Sequence, residues 1–316
     1  MSQPGKAMPV NPNAYPCEPC GLLGDSLPMR DLYKLITKFS ATDSPVLIQG
    51  EAGTGKQLIA RALHQQSQRR QQPFIVFDCQ ARAQRPGQTP LFAPGCGETN
   101  VHPLSGSVLQ AANRGTLLLE QVQGLPLDIQ EQLLRFLQRK TPGDVDVRVL
   151  ATSNVDLALA ISRGQLREDL YYRLNVLQII AAPLRERFGD LAMLANHFAQ
   201  RYSRENGRRE RPFSQEALIA MGEHDWPGNV RELANRVRQA QALAQGNRIE
   251  AIDLGLGIET LVTAPMGTLH DYKHRAERQA LGDVLLRHGG NLSTAARVLG
   301  VSRPTLYRLL HKHQMR

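Results

Sequence analysis

The sequence predicts an α/β domain, a parallel sheet with helices on both faces, followed by an all-helical domain at the C-terminal end. Three observations carry that expectation. Short apolar runs alternate with amphipathic stretches through most of the 316 residues, the pattern of strands buried on both faces of a parallel sheet. The stretch Gly50-Glu51-Ala52-Gly53-Thr54-Gly55-Lys56-Gln57 stands between one such run and a helical one. Near the end, Gly300-Val301-Ser302 separates two short helical stretches as a turn followed by a cap.

In chain order, residues 1–20 are rich in Pro, Asn and Gly without periodicity, which predicts a disordered tail and no sensory domain ahead of the glycine-rich stretch. Cys17 and Cys20 form a lone CxxC there, and no second pair completes a zinc site. From Gly21 the chain reads as globular, with Met29, Leu32, Tyr33, Leu35 and Ile36 marking one helix. Pro45-Val46-Leu47-Ile48-Gln49 suits a buried strand, and Leu58 to His64 has helical spacing. Between them the three glycines let backbone N–H groups turn toward an anion. Lys56 can reach outer phosphates, and the following helix adds its N-terminal dipole. The Ser or Thr that usually ends such a loop is Gln57. Further strand-like runs lie at 74–77, 115–119, 145–150 and 176–180, and Cys79 and Cys96 read as buried thiols.

Composition narrows the class. The length leaves room for two or three domains. Four cysteines argue against a disulfide framework, and 38 Lys+Arg against 29 Asp+Glu give a net charge of +9, which suits a polyanionic partner. No run approaches the roughly 18 apolar residues of a membrane span, and the N-terminus lacks the blocks of a signal peptide, so a cytoplasmic protein with no membrane contact is expected.

Seven blocks, in order, resemble the AAA+ domain of bacterial enhancer-binding proteins, the activators of sigma-54 RNA polymerase. They are GEAGTGKQ, Leu91-Phe92, Gly115 to Leu119, Leu125 to Gln130, Val147 to Asn154, Leu166 to Val176 and Trp226 to Leu233. The resemblance implies an ATPase core over 21–189, a helical lid over 190–254 and a linker over 255–268. It implies ATP at residues 50–57, magnesium at Glu120, a polar sensor at Asn154 and a lid sensor at Arg231. Arg167 and Arg173 are similar to arginine fingers that reach a neighbour's nucleotide, which implies self-association: a dimer through the C-terminal domain, and a hexameric ring as the larger form that ATP would favour. Arginine suits such work because its planar fork grips phosphate oxygens with two donors. By contrast Arg185, Arg187 and Arg208-Arg209 read as solvated surface charge. A relative that serves polymerase with the housekeeping sigma factor leaves cyclic di-GMP open as a further ligand near the loop.

The chain also departs from the family. Where the family has an Asp-Glu pair after the third strand, this sequence has Glu120-Gln121. A carboxylate remains for magnesium, but the amide of Gln121 accepts no proton at neutral pH. Residues 93–106 do not resemble the hexapeptide GAFTGA, and the 139–144 loop is short for the family. These losses predict a protein that holds ATP, hydrolyses it poorly and acts independently of sigma-54. The alternative is an active ATPase that activates sigma-54 polymerase.

The C-terminal segment, 269–316, reads as three helices: one marked by Tyr272, Ala276, Ala280, Leu281, Val284 and Leu285, one from Ser293 to Leu299, and one after Ser302. Asn291 to Arg303 closely resembles the Fis-type helix-turn-helix. From His270 onward nine Lys+Arg face three Asp+Glu, a net of +6. In a docked motif the start of the last helix faces base edges, which points to Arg303, Thr305 and Arg308, with Ser302 and Tyr307 beside them. Arg297 and Lys312 are expected on phosphates. Double-stranded DNA, RNA polymerase and a second copy are the expected partners.

Overall fold

The computed structural model describes residues 21–80, 90–92, 107–138, 145–207, 209–256, 281 and 292–312. The expected tail, Cys17, Cys20, Cys96, the region facing GAFTGA and the 139–144 loop lie outside these residues. So does most of the linker and of the first C-terminal helix. The chain divides into two units, 1–256 and 257–316.

In the first unit a helix, α1 (Leu27–Ser40), precedes β1 (Val46–Gln49), α2 (Lys56–Gln65) and β2 (Phe74–Asp78). Then come α3 (Val108–Ala111), β3 (Thr116–Glu120), α4 (Leu127–Gln138), β4 (Arg148–Ser153), α5 (Leu157–Ser162), α6 (Glu168–Leu174) and β5 (Leu177–Ile180). The five strands form a parallel sheet in the order β2-β3-β4-β1-β5. Successive side chains leave opposite faces, so Leu117, Leu119, Val149 and Ala151 enter one core while Leu118, Leu150, Val46 and Ile48 enter the other. Both faces are covered, which is why these strands read as continuous apolar runs.

The fourth strand begins three residues later than the apolar run suggests and continues through Ser153. Its N-terminal approach is diverted: Asp146 takes its backbone bonds from the Asn113-Arg114 turn, and the ladder opens only where Arg148 N–H meets Gly115 O at 3.1 Å.

After β5 a short turn, Leu184–Glu186, leads into α7 (Asp190–Glu205), α8 (Gln215–Glu223) and α9 (Asn229–Leu243). These helices share a third core around Trp226, which is 1% exposed, and Leu254 and Leu256 close it. The N-terminus of α7 is anchored by Asp190, buried with Arg187 at 3.0 Å and accepting from Ser26 Oγ at 2.7 Å.

The second unit contains α10 (Leu292–Val298) and α11 (Arg303–Lys312). Gly300 sits at φ +67, Gly300 N–H returns to Arg297 O, and Val301 N–H returns to Ala296 O. That double return through a left-handed glycine satisfies the last carbonyls of α10 and ends it. Ser302 Oγ then accepts from Thr305 N–H at 3.3 Å, capping α11. Leu281, Ala295, Ala296, Leu306 and Leu310 form the small core.

Candidate functional site

The site lies at the C-terminal ends of β1, β2, β3 and β4, the edge where parallel α/β sheets bind ligands. Gly50, Gly53 and Gly55 have φ of +149, +79 and +94, values that favour glycine. A side chain at Gly53 would fail for a second reason, because a Cβ there would stand 2.0 Å from Gly228 O in the lid. Thr54 is buried and its hydroxyl donates to Glu51 O at 2.9 Å, which tightens the loop. Ala52 and Gln57 are exposed.

Among the described residues the backbone amides of Gly53 to Gln57 have no protein acceptor. Together with the N-terminus of α2 they form the donor set that phosphate oxygens require. Lys56 Nζ donates to Gly50 O and Glu51 O, both at 2.7 Å. Burial, and then the nearby Arg231 charge, lowers its pKa to about 8.

Glu120 ends β3 in register with Asp78, the last residue of β2. Burial and the Asp78 charge push its carboxyl above the usual range, while Arg231, Lys56 and Arg61 pull it back. Two carboxylates among three cations thus flank the loop. No group of three or more metal-ligating side chains occurs among the described residues. Two carboxylates fit a divalent cation only when another donor, such as a phosphate oxygen, completes its shell. Gln121 follows at φ +55, its backbone N–H bound to Thr152 Oγ1 at 3.2 Å. Asn154 follows β4, exposed, and its Oδ1 accepts from Gln123 Nε2 at 2.9 Å.

Arg167 and Arg173 lie at the two ends of α6. Arg167 pairs with Asp169 at 2.8 Å, and Arg173 donates to Leu137 O at 2.7 Å. Neither meets the loop of its own chain. In the second unit Arg297, Ser302, Arg303, Tyr307, Arg308 and Lys312 are exposed, and Thr305 is half-buried.

Of the arginines read as surface charge, Arg187 is buried, while Arg185 is exposed as expected yet carries a specific partner. Arg187 is 3% exposed in its pair with Asp190. Arg185 forks onto Glu51 of the loop, with contacts of 2.9 and 2.5 Å. That fork and a bond from Asn229 hold the Glu51 carboxyl down at about 2. Neither contact was legible locally, because the partners lie 134 and 178 residues away. Asp78 was legible in principle, as the last residue of a strand at the ligand-binding edge. The Cys79 thiol beside it is buried and pushed up by that burial.

A parallel α/β domain with a phosphate-type loop and a helical lid, joined to a helix-turn-helix, is an AAA+ regulator architecture. The chain belongs to the family built on the Sigma-54 interaction domain, whose family model matches residues 22–180. The AAA+ ATPase lid domain matches 185–263, and the Bacterial regulatory protein, Fis family, matches 274–313. Regulatory protein AtoC of Escherichia coli is 37% identical over 92% of this chain and 67% of its own length. The DNA-binding transcriptional regulator NtrC of Rhizobium meliloti is 41% identical over 70% of this chain and 48% of its own. The crystal structure of NtrX from Brucella abortus in complex with ADP has a TM-score of 0.69 at 30% identity, covering 93% of this chain and 70% of that one. The same protein with ATP gives 0.65 at 29% identity, covering 92% and 69%. Across the curated relatives the chain spans 48% to 68% of their lengths. No described helix is long and apolar enough to cross a membrane.

Proposed function

We propose that this chain is a DNA-binding transcriptional regulator that binds ATP in its AAA+ domain, hydrolyses it poorly, and acts independently of sigma-54. The observation that carries this reading is Gln121. It occupies the strand end where the resembled family places its glutamate, on a backbone held by Thr152. Its amide takes no proton from water, and losing a positioned base lowers a rate by about 10² to 10⁴.

When bound, ATP supplies a chain of phosphate charge and the terminal anhydride bond that hydrolysis would break. The amides of Gly53 to Gln57 would hold phosphate oxygens, and Lys56, now on Gly50 O and Glu51 O, would place its charge beside them. Glu120, with Asp78 beside it in register, would hold magnesium once phosphate oxygens complete its shell. Asn154, after β4, and Arg231, on α9 of the lid, would contact the nucleotide as the two sensors. Arg167 and Arg173, at the two ends of α6, would reach a neighbouring subunit's nucleotide after leaving Asp169 and Leu137 O, and ATP would then favour an assembly larger than the dimer the C-terminal domain alone could support. The second unit docks on double-stranded DNA, Arg303, Thr305 and Arg308 reading bases while Arg297 and Lys312 hold phosphates.

The rival reading, an active ATPase that remodels sigma-54 polymerase, draws on the match to the Sigma-54 interaction domain and on the carboxylate of Glu120. Mapping the DNA sites this protein occupies in its cell separates the two. Sites beside promoters that sigma-54 does not serve are expected, and the promoters beneath them identify the sigma factor involved. Sites confined to sigma-54 promoters would favour the rival. Cyclic di-GMP enters the ATP-binding assay as a competitor, and displacement of ATP would add it as a second ligand.

A further inference from the structure

We infer that Asn229, together with Glu51 and Arg185, ties the phosphate loop to the lid and carries nucleotide occupancy into lid position. The inference rests on the reading of Gly50–Gln57 as the ATP site. Asn229 opens α9, is 0% exposed, and holds φ +53, a left-handed conformation that asparagine tolerates better than most residues. Its side chain joins three separate segments. Oδ1 accepts from Leu184 N–H at 2.7 Å, on the turn between sheet and lid. Nδ2 lies 3.0 Å from Glu51 Oε2, 3.0 Å from Ala52 O and 3.4 Å from Pro227 O.

An amide nitrogen has two protons, and the two nearest acceptors both belong to the phosphate loop. A helix start needs none of this. The bond to Pro227 is local and the one from Leu184 ties α9 to the turn before the lid, whereas the bonds to residues 178 and 177 positions away link the lid to the loop. Arg185 reinforces the link through Glu51, but that pair is about 41% exposed on each side, so solvent weakens it. The buried amide is therefore the stronger tie. Packing adds to it, since Gly53 lies under Gly228 and Arg231 N–H points at Gly53 O from 3.4 Å. Should the loop shift to accept phosphate, Nδ2 would lose both loop acceptors while buried, unless the lid shifts with it. Asn229 is thus a positioning residue, which acts on the nucleotide through the loop.

Hydrogen exchange of the full chain, with and without a slowly hydrolysed ATP analogue and magnesium, tests this. In the wild type the analogue protects both the loop and the lid segments 184–186 and 228–233. Asn229→Gly keeps the backbone conformation and removes the tie. Its loop stays protected at saturating analogue, affinity falls by roughly 2- to 30-fold, and the lid response disappears. Glu51→Gln keeps an acceptor and keeps the lid response. Glu51→Ala, a change at a half-exposed side chain that leaves the lid core intact, weakens it. A wild-type lid response in either Asn229→Gly or Glu51→Ala would overturn the inference. Loop protection without lid protection in the wild type would overturn it while leaving ATP binding intact. No loop protection at all would overturn ATP binding, and the tie with it.

Discussion

The strand ends of β1 and β3 meet at one site yet are built on different terms. After β1 the anion-binding group is mostly backbone, and its shape is enforced by packing: a Cβ on Gly50 would stand 2.6 Å from Ala181 O, and one on Gly53 2.0 Å from Gly228 O. After β3 the backbone is held by Gln121 N–H on Thr152 Oγ1 at 3.2 Å. There, however, in the function proposed, the chemistry hangs on one side chain, and that side chain is an amide. A function spread over main-chain donors survives single substitutions away from the glycines and the lysine. A function carried by one carboxylate is lost by exchanging an oxygen for a nitrogen, with no disturbance to the fold around it.

Lys56→Ala should show the largest loss on the β1 side. Removing a charged hydrogen-bond partner costs about 1.5–3 kcal/mol, so ATP affinity by calorimetry falls about 10- to 150-fold. DNA binding by the second unit stays unchanged. Normal ATP affinity in this variant would dissolve the comparison. We propose the same division between positioning and reading in the second unit. Arg303→Ala should cost about 1–3 kcal/mol at a preferred site and narrow the gap to random DNA. Lys312→Ala should weaken all sequences alike and lower the salt slope by about one. A salt titration of both duplexes distinguishes them, and equal losses on every sequence would make this unit a general anchor.

Assembly sharpens the contrast further, because it needs the nucleotide held but not cleaved. Light scattering should show ATP increasing the oligomer size of the wild type and failing to do so in Arg173→Ala. A variant that assembles normally would remove Arg173 from the neighbour's site.

The smallest expected effect is one of pH. Lys56 is lowered from 10.5 to about 8, chiefly by burial. Below pH 8 its amine is charged in the folded and unfolded chain alike, and the cost of burying that charge is present in full. Between about 8 and 10.5 only the unfolded chain keeps the proton, so the stability of the ligand-free fold rises with pH across that window. ATP binding runs the other way and weakens above about pH 8, since it needs the charged amine. Lys56→Met should flatten both trends in thermal melts and binding curves.

Much of this was legible in the sequence because it is local. Strand, loop and helix follow one another within residues 45–64, and Ser302 lies three residues from the amide it caps. Glu120 and Gln121 were legible as a substituted pair for the same reason. The links that were not legible join residues far apart in the chain. Arg185 reads as surface charge until Glu51 is brought to it, and Asn229 reads as one letter of a lid motif until its amide is found on Ala52. The late start of β4 has a similar cause, because the Asn113-Arg114 turn competes for Asp146.

The central claim is that nucleotide is held and not turned over, and phosphate release measured beside ATP binding tests it most directly. The wild type should bind ATP with release near background, and Gln121→Glu, which restores a carboxylate on the same held backbone, should bind similarly and release phosphate faster by up to about 10² to 10⁴. Brisk release by the wild type, unchanged in Gln121→Glu, would contradict it.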